Sequence, residues 1–246
     1  MTTKEFSIEF DILYNNISSN AAPGLNEYEK SIFLTRAQEE LVMALYSGNT
    51  EGFGSFESNT ELRTYLTTLV KNVKIDMSTI LPNSNSIVSG WTGSDNYYDY
   101  VFDLAALGYK DILYIVYEAA KFKSSSVESN KIDSLDVEVK AIKHDEYHSI
   151  VRNPFRKPNE NRVLRVDSNL LEGGNEAYTV ELISSIELSN YILRYIREPK
   201  PIILETLTSY NVSINGISTI TECELFSSLH LKILNRAVDI ALKSYK

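Results

Sequence analysis

The amino-acid sequence predicts an α+β protein: helices from both ends of the chain pack together as a layer, and a mainly β domain is inserted between them. Three observations predict it. Apolar residues recur at helical spacing in three stretches before Lys71, they do so again in the last twenty residues, and alternation with turn residues replaces that period in between. The expected division is 1–72 for the N-terminal helical region, 73–205 for the inserted β-rich domain, and 206–246 for a C-terminal segment and helix that returns to the N-terminal helices.

Phe6, Phe10, Leu13, Tyr14 and Ile17 step by threes and fours, so a short first helix spans Phe6–Ile17 and ends in the turn residues Ser18, Ser19, Asn20, Pro23 and Gly24. The stretch Leu25–Gly48 organises the rest. Asn26 and Glu29 stand in the positions of a capping box, and Gly48 supplies a left-handed stop. Leu34, Ala37, Leu41 and Leu45 form its apolar face, while Arg36, Glu39, Glu40 and Met43 form a wet one. Gly48, Gly52 and Gly54 follow a helix rather than a strand, which argues against a phosphate cradle. Ser58 and Glu61 make a second capping box before the stripe Leu62, Tyr65, Leu66, Leu69 and Val70.

Beyond Lys71, Pro82, Asn83–Ser86 and Gly90–Asp95 read as loops around the single tryptophan, Trp91. Asp95, Asp99 and Asp103 recur at spacing four. On a helix they would stack as a solvated acidic face, the preferred reading over a magnesium site, which needs ligands that converge. Asp111–Ala120 reads as a buried strand, and Val137, Val139 and Ala141 as a half-buried one beyond the polar interval Ser124–Ser134. Arg162–Val166 and Tyr178–Leu182 form a hairpin around Gly173-Gly174-Asn175. Leu188–Arg197 fits either strand or helix, and Pro199 and Pro201 end it in both cases. The last helix is capped by Ser227 or Ser228. It has Leu229, Ile233, Leu234, Ala237, Val238, Ala241 and Leu242 on one face and Lys232, Arg236, Asp239 and Lys243 on the other.

Composition narrows function. Hydrophobic residues at 43% and charged residues at 23% exclude wholesale disorder, and a net charge of −9 argues against a surface that grips nucleic acid throughout. With Cys223 alone, neither an internal disulfide nor a cysteine-rich metal site forms, and a reducing compartment is expected. The N-terminus lacks a signal-peptide pattern, and the longest apolar run, Ile112–Tyr117, falls far below the roughly 18 residues of a membrane span, so no membrane partner is expected. The 16 tyrosines suit either sheet content or interfaces.

Two stretches invite chemistry. His144 and His148 stand at i and i+4, the spacing of a helical zinc pair, but Asp145 occupies the place where a metalloprotease has its glutamate, and the remaining histidine is the distant His230. A polar turn is the preferred reading over a metal-dependent hydrolase, and no cofactor is expected. Downstream, Arg152, Arg156, Lys157, Arg162 and Arg165 cluster around Asn153-Pro154-Phe155, the main local reversal of charge. An acidic protein neighbour is preferred over nucleic acid, because single-strand binding wants several interleaved aromatics and only Phe155 is near. The candidate protein interface is therefore Arg152, Phe155, Arg156, Lys157, Arg162 and Arg165. No nucleophile elbow or Walker sequence is present.

Four stretches carry a resemblance: APGLNEYEKSIFLTRAQEELVMALYSG from Ala22, HDEYHSIVRNPFRKPNENRVLRVD from His144, YIREPKPIIL from Tyr195 and CELFSSLHLKILNRAVDIAL from Cys223. Together they resemble the ring, or head-to-tail connector (tail barrel), proteins of crAss-like and related Bacteroidales phages. Val73–Val139 lies outside the resemblance. It implies a non-enzymatic virion protein of the tail or neck, assembled in the host cytoplasm into a closed, twelve-fold ring of its own copies. The implied neighbours are the portal protein or adjacent ring proteins, and genomic DNA passes through the lumen without specific binding. Adaptor proteins of short-tailed phages likewise combine a helical layer with a β domain.

Overall fold

A computed structural model describes residues 1–17, 24–48, 60–82, 97–123, 136–168 and 178–244, and the chain is α+β. Contacts divide it into two units, Met1–Val70 with Glu198–Lys246, and Lys71–Arg197. Gly52, Gly54, Ser58, Trp91, Asp95, the interval Ser124–Ser134 and the turn Gly173-Gly174-Asn175 lie outside the described residues.

The first unit is built on α2, Glu27–Ser47, whose ends are closed as its sequence dictates. Asn26 Oδ1 accepts from the Glu29 amide at 2.8 Å, Glu29 Oε2 accepts from the Asn26 amide at 2.9 Å, and Gly48 stops the helix at φ 70°. The expected wet side is narrower than the periodicity suggests. Lys30, Ser31, Thr35 and Gln38 are buried beside Phe33, Leu34 and Ala37, while Leu41 is only half-buried. The reason is a row of short polar side chains. Ser31 Oγ accepts from the Leu204 amide at 3.0 Å, Thr35 Oγ1 from the Ile202 amide at 3.1 Å, and Gln38 Nε2 donates to the Lys200 carbonyl at 2.8 Å.

An extended strip, 199–204, thus lies along the helix, and its other edge pairs Ile203 with Thr221 in both directions. Pro199 and Pro201 have no amide to satisfy, so the buried backbone donors of the strip are accounted for. The sequence division placed these residues in the inserted domain; their contacts group them with the terminal helices.

The helix α1, Thr3–Ile17, buries Phe6, Phe10 and Tyr14, and the buried Lys30 ammonium of α2 reaches Asp11 at 2.7 Å and Glu27 at 2.9 Å. Burial alone would lower the pKa of Lys30, but the two carboxylates outweigh it and hold the group above its ordinary value. The helix α5, Ser227–Ser244, buries Leu229, Ile233, Leu234, Ala237, Val238 and Ala241 and packs on α1 and α2. It begins at Ser227 itself, so Ser227 and Ser228 belong to the first turn rather than capping it. The stripe from Leu62 is a correction. Its helix, α3, spans only Thr60–Leu66; a 3-10 turn at Thr67–Leu69 follows, and Val70 opens a strand. Thr67, Thr68 and Val70 are β-branched and hold a helix poorly. A tight turn missed in the sequence closes Ile214 on Ile217, with Asn215 and Gly216 both at positive φ.

The second unit is a curled mixed sheet of seven strands in the order β1-β7-β3-β4-β5-β6-β2. The strands are β1 (Val70–Asp76), β2 (Tyr98–Asp103), β3 (Ile112–Phe122), β4 (Val137–Ile142), β5 (Arg162–Ser168), β6 (Thr179–Ser184) and β7 (Leu188–Arg197). The hairpin of β5 with β6 forms as expected, and Leu188–Arg197 is a strand, antiparallel to β3 with three register irregularities that bend the pair. In β4 the alternation breaks: Ala141 is exposed and Ile142 buried. β4 and β5 run parallel, joined through the short helix α4, Tyr147–Arg152. On one face lies the main core of this unit, Tyr100, Phe102, Val163, Val180, Leu182, Tyr191 and Leu193 among others, and on the other face Tyr147 and Ile150 of α4 cover Leu164, Val166 and Ile183.

The acidic helical face is not formed. Asp99 and Asp103 belong to strand β2, where Asp99 is buried opposite Ile183 and Asp103 Oδ1 accepts from the Ala105 amide at 2.8 Å.

Candidate protein interface

The parallel crossover between β4 and β5 has to turn back after α4, and the turn is built by asparagines. Asn153 Oδ1 accepts from the Phe155 amide at 2.9 Å, and its carbonyl accepts from the amides of Arg156 and Lys157, each at 3.0 Å. Asn159 and Arg162 exchange both backbone bonds at 3.1 Å, and Asn159 Oδ1 also accepts from the Asn161 amide at 2.9 Å. These side-chain bonds to nearby backbone replace the sheet ladder with a fixed tip. Pro158 is buried beneath it. The signal is in the sequence, since Asn-Pro and Pro-Asn are turn formers.

What the tip presents is unusual. Phe155 is 86% exposed, flanked by the exposed Arg152, Arg156 and Lys157, with Glu160 the acidic residue of the same loop. A large aromatic held out on a rigid loop keeps little entropy to lose on contact, which is the character of an interface anchor.

The other two members of the predicted cluster have other work. Arg162 is half-buried and its Nη1 donates to the Phe155 carbonyl at 3.1 Å, so it braces the tip from behind. Arg165 leaves the patch altogether. It lies on β5 only 7% exposed, with Nη1 2.6 Å from Glu118 of β3 and Nη2 donating to Asp167 at 3.0 Å. Tyr191 donates to the same Glu118 carboxylate. Burial pushes the Glu118 carboxyl above its ordinary range despite the neighbouring Arg165, and burial followed by the Glu118 charge pushes the Tyr191 phenol well above its own. For Arg165, burial would lower the pKa, but Glu118 and Asp167 outweigh it and keep the guanidinium charged. This cluster closes the polar end of a sheet interior.

The histidines have separate surroundings. His144 sits in a 3-10 turn, exposed, its Nε2 donating to the Asp167 carbonyl at 2.7 Å, whereas His148 is half-buried on α4 with its ring edge-on to Tyr147 at 5.4 Å. His230 belongs to the other unit, where Nε2 donates to the Leu225 carbonyl at 3.0 Å and Nδ1 accepts from the Met1 amino group at 2.8 Å. Among the described residues no three His, Cys, Asp or Glu side chains stand close enough to share a metal ion, and no helix is long and apolar enough to cross a membrane.

The tip thus combines an exposed aromatic, exposed cations and a loop braced from behind. The family described as phage tail ring protein 3/4 matches residues 1–246. Ring protein 3 of Bacteroides phage crAss001 is 38% identical over 245 residues, covering 99% of this chain and 96% of that protein. Ring protein 4/5 of the same phage is 35% identical over 254 residues, covering 100% of this chain and 94% of its own length. With the family's match spanning every residue and two relatives aligned nearly end to end, this chain belongs to the phage tail ring protein 3/4 family of structural virion proteins.

Proposed function

We propose that the chain is a non-enzymatic subunit of a closed, twelve-fold ring in the portal-to-tail connector of a short-tailed phage, assembled in the host cytoplasm. The ring meets the portal protein or a neighbouring ring and leaves a lumen through which the genome is packaged and ejected. The observation that carries the reading is the braced tip at 152–157, with Phe155 at 86% exposure inside a basic rim, in a chain of a ring-protein family. An exposed phenylalanine in a cationic collar suits an acidic protein neighbour. The adaptor-like organisation, a helical layer from both chain ends carrying an inserted β domain, fits the same role. Net charge of −9 keeps a lumen from gripping DNA phosphates as they pass.

The test is particle mass, by mass photometry, for the protein alone and mixed with the portal protein of its phage. A closed multiple of 27.9 kDa, or co-assembly with portal, is the expected result. A species that stays at 27.9 kDa alone, with portal and with the adjacent ring proteins of that phage overturns the reading. With Arg165 buried, the tip keeps three exposed cations and one aromatic, which weakens the nucleic-acid alternative.

A further inference from the structure

We propose that the basic tip of one copy docks on the outer face of α1 of the next copy, a head-to-tail contact that rests on the ring reading above. The outer face of α1 carries Ile8 at 61% and Ile12 at 54% exposure. They lie one helical turn apart and so form a single apolar ledge. On the helical wheel Glu5 and Glu9 line one side of this ledge, and Lys4 and Asn15 line the other. Asp11 is drawn away to Lys30.

Ledge and tip are counterparts. Each has an apolar centre, Ile8 and Ile12 in one and Phe155 in the other, and the balance of their charged rims is opposite: Glu5 and Glu9 outweigh Lys4 on the ledge, and Arg152, Arg156 and Lys157 outweigh Glu160 at the tip. Apolar centres inside charged rims are the anatomy of a specific interface. Charge also selects the geometry. A two-fold contact of tip with tip would set arginine against arginine, and one of ledge with ledge would set glutamate against glutamate; both are repulsive. Tip on ledge removes the repulsion, and because it joins different surfaces it propagates from copy to copy instead of stopping at a dimer, as a ring requires.

Disulfide trapping in assembled particles decides it, because a disulfide forms only where Cα atoms approach to about 4.4–6.8 Å. One chain carries Arg156→Cys with Glu9→Cys, and a second carries Phe155→Cys with Ile12→Cys. After mild oxidation, a non-reducing gel of purified particles should show a ladder at multiples of 27.9 kDa for at least one pair, and each single variant should run as monomer. The native Cys223 adds little background: it is half-buried, and burial pushes its thiol up to about 11. Particles that incorporate both pairs normally yet yield only monomer overturn the docking while leaving the ring reading intact. Absence of the wild-type chain from particles overturns the ring reading itself. If neither pair is incorporated, charge exchange settles the matter. Arg156→Glu should be excluded from particles and Arg156→Glu with Glu9→Arg readmitted; continued exclusion of the exchanged chain overturns the docking.

Discussion

Replacing Arg165 by methionine should destabilise the sheet unit by more than the lost pair ever contributed. The side chains of Arg165 and Glu118 are 8% and 9% exposed, so neither charge is solvated. Burial already lifts the Glu118 carboxyl above its ordinary value even with the guanidinium beside it, which says that desolvation outweighs attraction. Removing the guanidinium leaves a buried carboxylate held by the Tyr191 hydroxyl, at a cost of about 3–5 kcal/mol. Asp167 loses its partner too, but its side chain is 43% exposed and water replaces the bond. Arg165→Met with Glu118→Leu removes both charges, and the remaining loss is the Tyr191 hydroxyl's acceptor, about 1 kcal/mol. The double variant should therefore be more stable than the single by about 2–4 kcal/mol. In urea, with a slope of about 1–3 kcal/mol per molar, Arg165→Met should lower the midpoint by at least about 1 M, and the double variant should recover most of it. Far-UV circular dichroism reads both, and amide exchange on β3 and β5 assigns the loss to the sheet. Equal losses in the single and double variants would refute the reasoning.

The same carboxyl sets a pH dependence. Because its folded value is raised, the stability it contributes is present below the ordinary glutamate range and is lost as pH rises through the folded value; the urea midpoint should fall across that window, and less steeply in Glu118→Gln, the difference between the two curves isolating this group. Asn26→Ala removes the side-chain half of the capping box and should cost about 1 kcal/mol, read as a lower thermal midpoint with faster amide exchange in the first turn of α2. Phe155→Ala should leave stability within about 0.5 kcal/mol, since the ring is 86% exposed, yet weaken assembly by about 30-fold or more, read by particle mass across a dilution series.

Local signals were legible and long-range ones were not. The ends of α2 could be read because a capping box and a left-handed glycine act within one turn. The face of α5 could be read because seven apolar residues kept one period over four turns. Asp99 and Asp103 misled because a spacing of four puts residues on one face of a strand as well as of a helix. The alternation of Tyr98, Tyr100 and Phe102 with them was the deciding pattern. Arg165 misled for a related reason: on a strand, a step of three sends Arg162 and Arg165 to opposite faces, so proximity in sequence did not make one patch. The row Ser31, Thr35 and Gln38 carries no local signal because its partner, the strip 199–204, lies more than 150 positions away along the chain. The ledge on α1 is hidden in the sequence because Ile8 and Ile12 are as apolar as the buried Phe6, Phe10 and Tyr14 on the opposite side.

That the terminal unit is made from both ends of the chain has a consequence for the order of synthesis. Every residue of the unit Lys71–Arg197 is synthesised, and leaves the ribosome, ahead of Glu198–Lys246, so the sheet can close while α1 and α2 still lack α5 and the strip that pairs with Ser31, Thr35 and Gln38. The terminal unit closes last, across a loop as long as the whole sheet unit, and such non-local closure is slow. On the docking proposed above, a chain cut short between Arg197 and α5 would carry a finished basic tip but an unsettled α1. It could offer one side of a contact and accept nothing on the other, and so would end a growing ring instead of extending it.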